Sequence, residues 1–334
     1  MALEDLLNRF RSRMAQRREA RQLKGEKEAA LSGAIDQVVK ASAPVMCTFR
    51  DCRQDLRSPV EKALDYIQNA IDAIPGPVSL TPENWDRDPL LHALFVDVEE
   101  IKALLQRNRR LRTFFADPQA SRAFALLTAS KMERTIFGTI MQDGIMRRDV
   151  PQTAVEFHDH RIVDPSAAET ATRRALKDRT LNALVTQVLE RLLEIRALKD
   201  ELKEQQRMLS IKFKIQQTRA NGLDALKTDD VASESGPPAA PQALVDIERQ
   251  IHDLGAESDS PDEYLRQLTA VLNAPHQALT VTPVTLRLNW MGVKQSGASA
   301  SDGRDIHLAE VEFQDRLKRA AVFVTIARQD CVTP

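Results

Sequence analysis

The chain is predicted to be α+β and predominantly α, with an N-terminal helical bundle, a long coiled-coil-like helix and a small C-terminal three-stranded antiparallel sheet with helices. Three observations lead there. Eleven glycines and 4% aromatic residues disfavour a glycine-rich doubly wound fold and an all-β sandwich. An unbroken helical apolar period begins at Ser166 and runs to Asn221 and Gly222. Between Val284 and Trp290 the apolar period changes to two.

The 334 residues, 43% hydrophobic and 28% charged, suffice for about two domains with real cores. Forty-seven Lys and Arg against 48 Asp and Glu leave a net charge of −1, which excludes a uniformly basic coat or an acidic solvating chain. No apolar run of about 18 residues exists to span a membrane, and the N-terminus lacks a secretory stretch. The expected location is the cytoplasm. Cys47, Cys52 and Cys331 are an odd set that suits reduced thiols.

Residues 1–30 read as a charged amphipathic helix with a narrow stripe of Leu3, Leu7, Phe10 and Met14. Residues 31–165 are expected to be a helical bundle. Ser58 and Glu61 form a capping box for a helix with Val60, Leu64, Ile67, Ile71 and Ile74 on one face, ended by Pro75-Gly76-Pro77. Asp88 and Pro89 open a second helix carrying Leu91, Leu94, Val98, Ile101 and Leu105, and Asp117 and Pro118 a third carrying Phe124, Leu127 and Met132. At about 135–163 the helical period fades into short strands and turns.

Residues 166–226 form the long helix. With Leu181, Val188, Ile195, Leu202 and Leu209 at heptad position d, position a holds Val185, Leu192, Lys199, Gln206 and Phe213. The polar Lys199 and Gln206 can select register, either between chains or in a helix pair folded back within one chain. Residues 227–242 are a proline-rich linker. Residues 243–334 then form a small α+β module: two short helices and three strands, over 284–290, 306–313 and 320–327, the last central because both of its faces are apolar.

No phosphate loop, dinucleotide fingerprint, nucleophile elbow or HExxH spacing occurs. The expected function is therefore non-enzymatic protein–protein interaction or scaffolding. It would use the seam of Leu181, Val185, Val188, Leu192, Ile195, Leu202, Leu209 and Phe213 to bind a protein partner or a second copy, with no cofactor. Two alternatives carry specific residues. Arg107, Arg109, Arg110 and Arg112 lie in a locally basic stretch that could meet nucleic-acid phosphates, though charge runs are as readily a solvated helix face. Glu156, His158 and His160 alternate, which on a regular strand sets two imidazoles and a carboxylate on one face for a metal-dependent enzyme.

Overall fold

The computed structural model describes residues 25, 27–41, 52–142, 145–224, 242–253, 261–295, 303–314 and 317–331. The expected N-terminal stripe, Cys47, nearly all of the linker and the Gly/Ser-rich loop at 296–302 lie outside them. In chain order the elements begin with helix α1 (27–41), α2 (Cys52–Asp72), β1 (Val78–Ser79), α3 (Pro89–Leu94), α4 (Val98–Arg107) and α5 (Arg109–Phe114). Two long strands follow, β2 (Arg122–Gln142) and β3 (Ile145–Ser166), and then α6 (Glu169–Asp224), α7 (Gln242–Asp253) and α8 (Pro261–Asn273). The chain closes with β4 (Leu279–Leu288), β5 (Arg304–Phe313), β6 (Leu317–Ala327) and α9 (Arg328–Cys331).

The expected small C-terminal sheet is replaced by one curled six-stranded sheet of order β3-β2-β6-β5-β4, with β1 parallel to β6 and every other pairing antiparallel. The N-terminal bundle is corrected with it. Residues expected on a third bundle helix belong to β2, which pairs with β6 from Arg122↔Ala327 to Ala129↔Ala320. The faded region is not a set of short strands but a hairpin of strands 21 and 22 residues long. The predicted second helix is broken. Asp88 caps α3 by accepting from the Leu90 N–H at 2.8 Å, and Asp97 caps α4 by accepting from that of Glu100 at 2.8 Å. The Ser58 box is not a start either, because α2 begins at Cys52 and carries Pro59 within it.

The chain divides into two compact units, one of residues 1–57 and 183–270, the other of 58–182 and 271–334. The second holds the sheet. Val322, Val324 and Ile326 of β6, Leu127 of β2, Val155 and Phe157 of β3 and Ile306 and Leu308 of β5 form one buried core with Leu91, Phe95, Ile101, Leu105, Leu111 and Phe115 of the α3–α5 region. Toward the start of α6, the Thr172 hydroxyl donates to the Phe124 carbonyl at 2.8 Å and the Arg173 guanidinium sits 4.1 Å over the Phe323 ring. Arg173 also donates to the Ile71 carbonyl of α2 at 3.0 Å.

The two sheet edges are joined. The Gln295 N–H donates to Arg287 O of β4 at 2.9 Å and that of Lys294 to Thr153 O of β3 at 2.8 Å, while Gly292 O accepts from Val155 N at 2.9 Å. Lys294 reaches Glu133 of β2 at 2.7 Å, and Lys131 pairs with Glu133 at 2.9 Å and with Glu310 of β5. Hydrogen bonds from Lys131 and Lys294 hold the Glu133 carboxyl down at about 2.

Strand β3 bends at three places. Asp149, Asp159 and Asp164 have φ of 55°, 53° and 49°, and each falls where the β2–β3 register slips between Gly138 and Ile140, Thr128 and Ser130, or Phe124 and Leu126. In each slip β3 contributes the extra residue of a bulge, and aspartate tolerates the left-handed conformation required. Beyond the sheet the hairpin runs on as a two-stranded ribbon with Met132, Phe137 and Met146 exposed.

Candidate interaction surfaces and polar clusters

α6 is continuous over 56 residues, a rod of about 84 Å at about 1.5 Å per residue. Every a and d position from Leu181 to Phe213 is buried or half-buried: Leu181, Val185, Val188, Lys199 and Leu202 are buried, and Leu192, Ile195, Gln206, Leu209 and Phe213 are half-buried. Of the two ways to cover such a seam, the helical unit shows the intramolecular one. Ile247 of α7 is buried, and its neighbour Glu248 accepts from the Gln206 amide at 3.1 Å. The polar a position at 206 thus pairs α6 with α7 of the same chain. In the same unit, α1 is tied to the first turns of α2 by Asp36–Arg53 at 2.9 Å and by Glu28–Arg57.

A second apolar face was not visible in the heptad register. Met208, Ile211 and Ile215 are exposed by 49%, 44% and 48%. At about 100° per residue they fall opposite Leu202, Leu209 and Phe213. Their spacing of three and four residues was the available signal; it is easily passed over because all three are off the seam. The nearby charges are Asp200, Glu201, Lys203 and Glu204 before the patch and Arg207, Lys212 and Lys214 within it, all exposed.

The histidine cluster does not converge. His158 and Glu156 stay together on the outer side, 3.4 Å apart. The bulge at Asp159 inserts an extra residue, so the inward positions run Val155, Phe157, His160 and Ile162 rather than keeping strict alternation. The His160 ring is almost fully buried, stacks on Phe95 with centroids 4.4 Å apart, and sets Nδ1 at 3.1 Å from Glu100. Burial pushes its pKa below the usual imidazole value, against the opposing pull of Glu100. Nε2 is buried with no hydrogen-bond partner among the described residues. No three His, Cys, Asp or Glu side chains form a metal-holding group among the described residues.

The bulge has its own buried partner. Arg319 of β6, 8% exposed, reaches across β2. Its guanidinium donates to the Thr128 hydroxyl at 3.2 Å, the Ser130 hydroxyl at 3.3 Å, the Asp159 carboxylate at 2.8 Å and the Asp159 carbonyl.

Arg107, Arg109, Arg110 and Arg112 are all exposed on α4 and α5, and the Asn108 side chain caps α5 by accepting from Leu111 N at 3.1 Å. Arg109 and Arg110 line an open cavity of about 530 Å³ with Thr113, Asp164, Ser166 and Ala175. Asp164 pairs with Arg179 and stands 4.0 Å from Arg110. Cys331 is buried, and its thiol is pushed up to about 12, chiefly by desolvation, which makes it unreactive. Among the described residues no helix is long and apolar enough to cross a membrane. No protein-family model matches the chain, and neither a curated protein nor a solved structure is similar to it.

Proposed function

We propose that the protein is a non-enzymatic interaction protein that associates with a second copy of itself through the distal half of α6. The observation that carries this is the exposed face of Met208, Ile211 and Ile215, which lies opposite a seam already occupied within the chain. A patch presented identically by two copies closes by a two-fold axis. Arg207, Lys212 and Lys214 flank the patch, so two copies meeting patch on patch bring like charges near one another, which weakens the association. Three half-exposed side chains per copy are a small area, so the association is weak and concentration-dependent.

Sedimentation at two salt concentrations tests the contact. Screening of Arg207, Lys212 and Lys214 lowers the dissociation constant a few-fold at high salt, and Lys212→Gln with Lys214→Gln lowers it at low salt. A dissociation constant unchanged by salt and by the substitutions would reject a contact through Met208, Ile211 and Ile215.

A second reading, contact with nucleic-acid phosphates, draws on Arg107, Arg109 and Arg112, which are exposed and have no ion pair among the described residues.

A further inference from the structure

The sheet unit carries a second cleft, of about 320 Å³, between α3 and the ends of β4 and β5. Its floor is apolar, made by Pro89, Ala93, Leu288 and Ile306. Both tryptophans of the chain are beside it. Trp290 lines the cleft while 76% exposed, and Trp85 stacks on the lining His92 with centroids 4.8 Å apart.

The Trp85 ring and the turn that presents Trp290 are held in place. The Trp85 indole donates to the Phe95 carbonyl at 2.9 Å. The turn presenting Trp290 is closed by the Asn289 side chain, which accepts from Met291 N at 3.0 Å and Val293 N at 2.9 Å. Gly292 has φ of +74°, and a Cβ there would stand 3.0 Å from Val155 O, so the turn is pinned against β3. The backbone that presents the exposed indole therefore loses little conformational freedom when the ring is covered.

The cleft also has one charge of each sign. Asp86 and Arg304 both line it, both are exposed, and neither has an ion pair among the described residues. We infer that the cleft binds a free aromatic amino acid. The ring lies on the apolar floor against Trp290 and His92, the carboxylate takes the Arg304 guanidinium, and the ammonium takes Asp86. A cleft of this volume is at the small end of ligand sites. A single molecule carrying an aromatic ring, an anion and a cation satisfies its three kinds of lining group.

The tryptophan emission of the full chain reports on the site directly. L-phenylalanine, whose own emission does not interfere, produces a saturable change. Phenylacetate, lacking the ammonium, and phenethylamine, lacking the carboxylate, each bind about tenfold more weakly, the equivalent of one lost charged contact. Arg304→Gln removes the preference for L-phenylalanine over phenethylamine, and Asp86→Asn removes that over phenylacetate. Both side chains are exposed, so the urea midpoint stays unchanged and loss of folding is separated from loss of binding. Absence of a saturable emission change together with absence of heat in a calorimetric titration overturns the assignment, as does equal affinity for the three compounds.

Discussion

Replacing Gly76 with alanine is expected to destabilise the fold by about 3 kcal/mol, combining the left-handed backbone penalty with overpacking. Gly76 has φ of +112°, and a Cβ built on it would stand 2.4 Å from the Phe323 carbonyl oxygen. Neither atom can move cheaply. Phe323 N donates to Pro75 O at 2.9 Å, Leu80 N donates to Thr325 O at 2.8 Å, and β1 pairs with Val324 and Thr325. The turn after α2 is therefore clamped onto the central strand of the sheet. Gly33 in α1 is the control, because a Cβ there meets nothing within 4 Å. Its replacement by alanine stabilises by up to about 1 kcal/mol. Urea denaturation reads both, and equal midpoints for Gly76→Ala and wild type would contradict the close approach.

The second large effect is at Arg319. Arg319→Ala removes a buried guanidinium that links β6, β2 and the Asp159 bulge, and is expected to cost about 3 kcal/mol or more. The loss has two parts. One is the set of hydrogen bonds to Thr128, Ser130 and Asp159, and the other is the packing of the aliphatic stem. Arg319→Met restores the stem without the charge and is expected to cost less than alanine. A methionine variant as unstable as the alanine variant would show that the polar contacts carry the whole effect. Arg319 and its neighbour Arg161 also hold the Asp159 carboxyl below its ordinary value. The contribution of that carboxylate is accordingly present above the ordinary aspartate range and fades as pH falls through the lowered value.

What could be read from the residues alone follows from how each element is buried. α6 is apparent because one face of a long helix is apolar over many turns, and its a and d positions match the buried and half-buried positions. Strand β2 is hidden for the opposite reason. Ala123, Ala125, Leu127 and Ala129 face the core cluster while Leu126 is buried beside them. A strand covered on both faces presents a nearly continuous apolar run, which no period distinguishes from a helix. Its pairing with β6, about two hundred residues away, leaves no local trace. The histidine cluster was visible as a spacing, but its geometry depends on one residue: the left-handed Asp159 turns His160 inward and leaves His158 outside. Trp290 and Asp86 are far apart in sequence, and only the fold sets both on one cleft.

The distal face of α6 is tested most directly by the mass of the full-length chain in sedimentation equilibrium at two concentrations, beside Ile211→Asp with Ile215→Asp. These two side chains are 44% and 48% exposed, so the substitutions leave the folded chain intact. The wild type is expected to move from monomer toward dimer as concentration rises, and the variant to remain a monomer at both. A wild type that is monomeric at both concentrations, or a variant that still dimerises, would contradict association through this face.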